Sequence, residues 1–358
     1  MRTPVLAALF TTSLALYAAP AAPAPEVRFE PHRIARFKGE RVRHAAAENQ
    51  KVVFLWGAGI ERWDVHAAKS SRVAKGEFHE GGCLLDVDGD GRIDVIANEG
   101  SDAPGDLVWL HAPDWSRHVI DTGIATRDVL PATLAGHRGI LVIQQQHQVR
   151  FYEVPADAAS HWKRTDILAF DTPAAQGGLL LADLDGDGQP DILSGNAWLQ
   201  APATPGMPWH SFAIAAPSAP QPPALLHLVY ADLWGAGSLH RIALQRDASP
   251  ARFTWSERPK DARQLWPQHP IAELPDLNQP SLLAAADFNS DGRTDLLVTE
   301  RGGQGRLIVL FNAGEQHFRP VVMGQTGGIF AAILLNDEIV TVQPDGLYRW
   351  QPVLPKTL

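Results

Sequence analysis

Three nine-residue segments carry acidic side chains at a spacing that suits a metal ion. Residues 86–94 read Asp-Val-Asp-Gly-Asp-Gly-Arg-Ile-Asp, and residues 183–191 and 287–295 repeat the pattern with small changes. Calcium takes about six to eight oxygen ligands, and alternate residues of a tight loop can direct their side chains at one centre. The predicted ligands stand at the first, third, fifth and ninth positions: Asp86, Asp88, Asp90, Asp94, Asp183, Asp185, Asp187, Asp191, Asp287, Asn289, Asp291 and Asp295.

Each acidic segment lies between two short apolar stretches. Leu84 and Leu85 precede the first segment, and Val95 and Ile96 follow it. Such stretches on both sides of a turn are typical of a β-hairpin. An EF-hand would instead need flanking helices and a bidentate Glu at the twelfth position, where this chain has Ala97. We therefore predict about three structural calcium ions, each bound in the turn of a hairpin.

The spacing of these segments predicts a repeated architecture. They begin 97 and 104 residues apart, and degenerate copies stand between them. The predicted hairpin turns fall near residues 48, 86, 135, 183, 232, 287 and 337, which makes seven repeats. A period of about 40–55 residues is that of propeller blades. The copy at residues 232–240 keeps its glycines but has lost three of its four acids, so we expect no metal there.

A second repeated motif marks the outer strand of the repeats. The pattern Trp-x-x-His-x-Ile and its weaker copies begin at Trp115, Trp162, Trp209, Trp266 and Phe318. A further copy begins at Phe29, before the first repeat, whereas the last repeat ends without one. These two facts predict an all-β fold, a seven-bladed β-propeller closed by the N-terminal strand, which leaves no open inner edge. An open solenoid would need a cap at each end, and neither end of this chain looks like one.

The acidic hairpins resemble FG-GAP/VCBS repeats, the blades of the integrin-alpha-like β-propeller. The resemblance covers nearly all of residues 25–358 and is strongest at residues 86–94 and 183–191. It implies a seven-bladed, calcium-dependent propeller. It implies no particular function, because the same fold serves adhesion modules, lectins and lyases.

Composition and the N-terminus bound the cellular context. Residues 1–24 read as a secretory signal peptide, with Arg2 before an apolar segment and an Ala/Pro stretch after it, so we expect a secreted or periplasmic protein. No later apolar run reaches membrane-spanning length, so we expect no membrane span in the mature chain. The net charge is -9, and eleven of the 40 acidic residues lie in the three loops. The chain therefore has no basic footprint for nucleic acid.

In a propeller of this register, the loops that lead into the first strands and those that leave the second strands share the face opposite the acidic turns. We predict a ligand site there, near the axis, since a central site collects one loop from every blade. The candidate catalytic residues are His79, Arg127 and Arg301. The candidate ligand-binding residues are Glu80, Glu99, His147, Asn196, Arg246 and Glu300.

Two functions remain open at the level of sequence. The first is a secreted binding or scaffold propeller for a glycan or an extracellular protein, because amides and carboxylates bind sugar hydroxyls well. The second is a carbohydrate lyase or dehydratase, with His79 as base and Arg127 or Arg301 countering the developing negative charge. The outer-strand motif is weakly similar to propellers of the aldos-2-ulose dehydratase kind, which keeps the second function as the alternative to the predicted binding module.

Overall fold

The computed structural model describes residues 27–100, 104–144, 148–169, 179–214, 226–235, 237–238, 240–245, 252–272, 274, 277–336 and 338–353. Apart from one 3-10 turn at Gly39–Arg41, the regular elements are strands, and they form seven antiparallel sheets of four strands each. The predicted all-β, seven-bladed propeller is confirmed. The predicted signal peptide at residues 1–24 lies outside the described residues.

The strands follow one another along the chain, so each blade is a simple meander. The N-terminal strand is β1 (Arg28–Arg36). Blades 1 to 3 consist of β2 (Val42–Ala47), β3 (Val52–Gly57), β4 (Gly59–Asp64), β5 (Lys69–Ala74); β6 (Phe78–Leu85), β7 (Asp94–Glu99), β8 (Gly105–His111), β9 (Ser116–Ile124); and β10 (Thr126–Leu134), β11 (His137–Gln144), β12 (Gln148–Glu153), β13 (Lys163–Ala169).

Blades 4 to 7 repeat this order, and the last one takes its fourth strand from the N-terminus. They consist of β14 (Leu179–Ala182), β15 (Asp191–Ser194), β16 (Ala197–Gln200), β17 (His210–Ala213); β18 (Leu226–Ala231), β19 (His240–Gln245), β20 (Arg252–Glu257), β21 (Gln268–Pro270); β22 (Pro280–Ala286), β23 (Asp295–Glu300), β24 (Arg306–Gly314), β25 (His317–Gln325); and β26 (Ala331–Leu335), β27 (Glu338–Gln343), β28 (Gly346–Val353), β1.

Burial explains why the second strand of each blade is nearly all apolar. Every residue of β3, β15 and β23 is buried, because neighbouring blades cover both faces of these strands. The outer strands are mostly exposed and polar; in β17, three of four residues are exposed. Seven apolar clusters fill the boundaries between neighbouring blades, including the boundary between the last blade and the first. The blades therefore form a ring.

The structure bears out both repeated motifs. All seven predicted hairpin turns join the first and second strands of their blades. The outer-strand motif lies in or beside the fourth strand, where its histidines stack on tryptophans of the third strand. The ring centroids of Trp109 and His118 lie 4.6 Å apart, and those of Trp255 and His269 lie 4.4 Å apart. These aromatic side chains belong to the packing of the blades.

The N-terminal strand pairs where the sequence predicts. β1 is antiparallel to β28, with Phe29 opposite Pro352 and Ala35 opposite Leu347. Phe29 is buried, and its ring meets that of Phe288 in the neighbouring blade edge to face at 6.1 Å. The strand is thus fixed both by its hydrogen bonds to β28 and by an apolar contact with blade 6.

Cys83 is buried in β6, and burial raises the pKa of its thiol, so this residue serves as a small apolar core residue. No helix in the described ranges is long and apolar enough to cross a membrane.

Candidate functional site

Each acidic loop is closed by hydrogen bonds from backbone N–H groups to its own carboxylates. In the first loop, Asp86 accepts from the N–H groups of two loop glycines at 2.8 and 3.1 Å. Asp94 is fully buried and accepts from the N–H of Val87 at 3.0 Å and from that of Ala112 at 2.8 Å. The second donor comes from the end of the third strand. The ninth-position carboxylate therefore ties the loop to the body of the blade.

The second and third loops repeat this bonding. Asp191 and Asp295 each accept from a loop N–H, at 3.1 and 3.0 Å, and from an N–H after or within the third strand, at 2.7 and 2.8 Å. Two backbone positions in each loop have positive φ and hold glycine, except that Ser290, with φ +59°, replaces one glycine in the third loop. The loop is one structural unit used three times.

The first two loops bring three carboxylates close enough to share one cation. Ligand oxygens of Asp86, Asp88 and Asp94 lie within 4.8 Å of one another, and those of Asp183, Asp185 and Asp191 do the same. Each carboxylate oxygen that accepts one N–H still has a second lone pair, so these hydrogen bonds leave metal coordination possible. Hard oxygen donors at this spacing fit calcium.

The third loop differs at one ligand position. Asn289 replaces the third-position carboxylate, and its side-chain amide donates to Asp291 at 3.0 Å. Burial raises the pKa of Asp295 to about 6, and the charges of Asp291 and Asp287 add to the rise. Burial also raises the pKa of Asp94 and of Asp191. A cation at each centre would offset this cost of burying negative charge.

Sequence spacing did not reveal His111, which lies beside the first loop. Its Nε2 atom is 3.1 Å from Asp88 Oδ2, and it forms a possible ligand group with Asp88 and Asp90. In the second loop, the side-chain amide of Gln200 donates to Asp185 at the same place in the blade. Both residues end a third strand, but the hairpins leading to them differ in length. A fixed spacing from the acidic segment therefore could not identify them.

The loop of blade 5 keeps the turn of the acidic loops although it has lost most of their acidic residues. Its loop keeps positive φ at Gly235 (+68°) and Gly237 (+76°), and Asp232 accepts from the N–H of Gly237 at 2.7 Å. The buried His240 takes the place of the ninth-position acid, because its Nδ1 atom accepts from the N–H of Leu233 at 3.4 Å. The turn forms with one carboxylate. The additional acids of the other loops are therefore not needed for the turn itself.

On the opposite face, a bulge positions two of the predicted site residues. In β6, Phe78 pairs with Glu99 and Gly82 pairs with Ala97, so three residues lie opposite one. A bulge redirects the side chains that it carries, here those of His79 and Glu80. Glycine is required at position 82, since a Cβ there would lie 2.9 Å from both a backbone oxygen and the indole nitrogen of Trp56.

The bulge joins three neighbouring blades through charged and aromatic groups. Glu80 forms a salt bridge with Arg127 of β10, with Nη1 and Oε2 3.1 Å apart. His44 of β2 lies near Glu80, and its ring meets that of Trp56 edge to face at 5.0 Å. Burial lowers the pKa of His44 to about 4, against the opposing effect of the Glu80 carboxylate. Three predicted residues, His79, Glu80 and Arg127, thus lie together.

The other predicted site residues are engaged elsewhere around the ring. Glu99 forms a bidentate salt bridge with Arg117 of the outer strand, at 2.8 and 2.7 Å. Glu300 is fully buried and forms a bidentate salt bridge with Arg306, at 2.7 and 2.6 Å. These contacts hold loops in place within single blades. A ligand-binding role for either carboxylate stays a prediction.

Two further residues link adjacent blades. Arg301 donates to the carbonyl of Phe330 at 2.8 Å and lies over its ring. Asn196 accepts from Arg241 of the next blade at 2.9 Å. His147 and Arg246, also predicted to bind ligand, lie outside the described residues.

A groove of about 350 Å³ opens beside this cluster, at the loop that leads from the N-terminal strand into blade 1. Its cationic walls are Arg36, Lys38 and Arg41, and its aromatic walls include Trp63 and Phe37, whose ring centroids lie 5.9 Å apart. Trp56 contributes to the groove as well as contacting His44. The sequence does not reveal the groove, because its lining comes from two segments, residues 36–42 and 55–63, that meet only in the folded chain.

Comparison with known proteins supports the interpretation of the loops. The family model of the FG-GAP repeat matches residues 280–310, which span β22, the third acidic loop, β23 and the start of β24. The chain is a seven-bladed β-propeller with an FG-GAP repeat in blade 6. No curated protein matches it.

Two solved structures resemble the FG-GAP propeller. The computationally designed Ika8 protein shares 10% identity over 89% of this chain and 99% of its own, with a TM-score of 0.50. A structural genomics protein of unknown function from Bacteroides thetaiotaomicron VPI-5482 shares 11% identity over 92% of this chain and 77% of its own, with a TM-score of 0.48. At such identities the Ika8 likeness concerns the fold alone, and the second likeness carries no further argument.

Proposed function

We propose that this FG-GAP propeller is a secreted or periplasmic binding module, stabilised by about three calcium ions, whose ligand lies on the face opposite the acidic loops. The sequence of residues 1–24 supports export. The gathered carboxylates of the first two loops support calcium, and the third loop carries the same four ligand positions. The ligand is a glycan or an extracellular protein.

The lining of the groove beside blade 1 indicates which class of ligand binds. Its volume of about 350 Å³ suits a small molecule or one or two sugar units. Trp63 and Phe37 offer flat apolar surfaces to a sugar ring, and Arg36 and Lys38 favour negative charge, while Arg41 is bound to Glu77 at 2.8 Å. Glu61, the one carboxylate that lines the groove, is bound to Arg72 at 2.6 Å. On a chain of net charge -9, this local excess of cations points to an acidic glycan such as a polyuronate.

Calorimetric titration with oligogalacturonate tests this proposal. Wild-type protein should bind, Trp63→Ala should weaken binding at least tenfold, and so should the combined replacement of Arg36, Lys38 and Arg41 by Gln. Lys260→Gln, which removes an exposed cation in blade 5, serves as the control and should bind like the wild type. No binding by the wild type at millimolar ligand contradicts the ligand class. Equal binding by all variants contradicts the location.

The bulge at His79 and Glu80 supports a second function, a carbohydrate lyase or dehydratase. His79 would act as base, and Arg127, 3.1 Å from Glu80, would stabilise negative charge beside it. Absorbance at 235 nm during incubation with polyuronates or keto sugars detects the unsaturated product. Its appearance, and its loss in His79→Ala with an unchanged melting temperature, would establish catalysis. Binding without product leaves the binding module as the function.

A further inference from the structure

The boundary between blades 4 and 5 buries a guanidinium that has no counter-charge among the described residues. Arg241 of β19 has no exposed surface, and its Nη2 atom donates to the carbonyl of Gly195 at 2.8 Å and to Asn196 Oδ1 at 2.9 Å. Its Nε and Nη1 atoms are buried and have no partner among the described residues. Both acceptors are neutral. The charge of Arg241 is therefore not balanced by any carboxylate in the described ranges.

Two buried hydroxyl groups beside this guanidinium also lack hydrogen-bond partners among the described residues. Tyr230 of β18 and Ser256 of β20 lie directly opposite Arg241 in the strand pairing, so the three side chains share one face of blade 5. The hydroxyls of both residues are buried and, within the part of the chain that the structure describes, neither has a hydrogen-bond partner. Tyr230 packs against the apolar cluster between blades 4 and 5. Four N–H and O–H groups therefore lie on one buried face without an acceptor.

This arrangement is costly unless something accepts these hydrogen bonds. Leaving a buried donor unpaired is destabilising, and the loss is greater for a charged group. Burial lowers the pKa of Arg241 to about 10, so the side chain still carries its charge at neutral pH. A buried, charged group with unused donors calls for an acceptor that the described residues do not supply.

We propose that Arg241 holds a small buried monoanion, such as chloride, between blades 4 and 5. A single negative charge balances the single guanidinium, and a halide accepts hydrogen bonds from Nε, Nη1 and both hydroxyls. The occupant must be small, because Arg241 and Ser256 have no exposed surface. Two residues with small side chains, Ser256 and Ala243, lie on the same face as Arg241. The site lies apart from the acidic loops and from the groove, and does not depend on the proposed ligand.

Bromide locates the anion directly. Crystals grown or soaked with sodium bromide should show an anomalous peak within about 3.5 Å of Arg241 Nε or Nη1, since bromide replaces chloride in the same hydrogen bonds. Density without anomalous signal at that place identifies water and overturns the proposal. Density too weak for any occupant at that place also overturns the proposal.

Melting temperatures at constant ionic strength provide a test in solution. Exchange of chloride for gluconate, which is too large to be buried, should lower the melting temperature of the wild type by roughly 2–4 °C. Arg241→Met should abolish this dependence on the anion, and Tyr230→Phe, which removes one donor, should weaken it. An anion dependence that is unchanged in both variants overturns the proposal.

Arg258→Met is the matched control. Arg258 also joins blade 5 to blade 4, because it donates to the carbonyl of Leu184. Its replacement removes a cation and a contact between the same blades while leaving the buried donors in place. This variant should keep the full dependence on chloride. If Arg258→Met loses the chloride dependence as Arg241→Met does, the dependence comes from general contacts between the blades. That result would contradict the anion site.

Discussion

At the scale of single residues, acidic side chains do two different things in this propeller. Asp232 in blade 5 shows that one carboxylate closes the turn by accepting from the N–H of Gly237 at 2.7 Å. Asp183 in blade 4 closes its turn in the same way, but it also belongs to a group of three carboxylates within 4.8 Å. The first role concerns only the turn, whereas the second creates a cluster of negative charge that a bound cation would stabilise.

The pair Asp183 and Asp232 separates the two roles. Asp183→Asn should remove one calcium ion per chain and lower stability by about 3 kcal/mol at calcium a hundred times above the dissociation constant. With EDTA present, this loss should disappear. Asp232→Asn should leave the calcium content unchanged. Calorimetric titration with calcium measures the number of ions bound by both variants. If both variants retain the wild-type calcium content, the carboxylate cluster in blade 4 is not a calcium site.

His44 predicts a dependence of stability on pH. Its pKa is about 4 in the folded protein and about 6.5 in an unfolded chain. As the pH falls from 6.5 to 4, the unfolded chain takes up a proton that the folded protein refuses, so folding becomes less favourable. His44→Phe should reduce the stability lost over this range by roughly 1–3 kcal/mol, as measured by urea unfolding. Parallel stability curves for the two proteins would rule out His44 as a source.

At the scale of elements, the repeats could be predicted well because each rests on local rules. Glycines at positive φ, alternating acids and flanking apolar residues specify a hairpin turn without reference to distant residues. The groove at Trp63 could not be predicted, since it arises where the segment after β1 meets blade 1. The same holds for Arg241, whose sequence context is an ordinary strand. Its unusual environment comes from the blade packed against it.

The sequence located His79, Glu80 and Arg127 on a shared face, but it could not predict their contacts. Their common position follows from the repeat register, which the structure confirms. The bulge in β6 depends on how closely Trp56 and Thr126 approach Gly81 and Gly82, which is a matter of packing. Glu99 and Glu300 share the same register position, yet each is bound to an arginine of its own blade.

Gly346 tests the pairing of the N-terminal strand within its blade. Its φ is +148°, and a Cβ there would lie 1.9 Å from the carbonyl oxygen of Ala35 in β1. Gly346→Ala should therefore separate β1 from β28 and cost at least about 2 kcal/mol. Gly314→Ala is the control, because φ is +81° and the space around it is open, so it should cost roughly 1 kcal/mol. Equal costs in urea unfolding would contradict the register in which β1 pairs with β28.

At the scale of the whole molecule, closure of the ring distributes stability over seven similar boundaries. Each boundary carries its own apolar cluster, and the one between blades 7 and 1 exists only when the chain ends meet. A propeller without closure would expose two blade faces and a strand edge. Arg36, the last residue of β1, lines the groove, so the proposed ligand site and the stability of the ring depend on the same segment.

Deletion of residues 26–37, which contain β1, tests whether this strand closes the ring. Removal of β1 leaves β28 as an unpaired edge, which favours association between chains. We expect oligomers or aggregates in size-exclusion chromatography and a lower melting temperature. Deletion of residues 1–24 alone serves as the control and should change neither property. A monomer with an unchanged melting temperature after the longer deletion would contradict closure by this strand.

Calcium binding by the acidic loops can be measured directly. The measurement is the calcium content of protein that has been stripped with EDTA, dialysed into buffer with calcium and analysed by mass spectrometry of the metal. We expect about three calcium ions per chain, together with a melting temperature that rises on calcium addition. A calcium content of zero per chain would contradict this expectation.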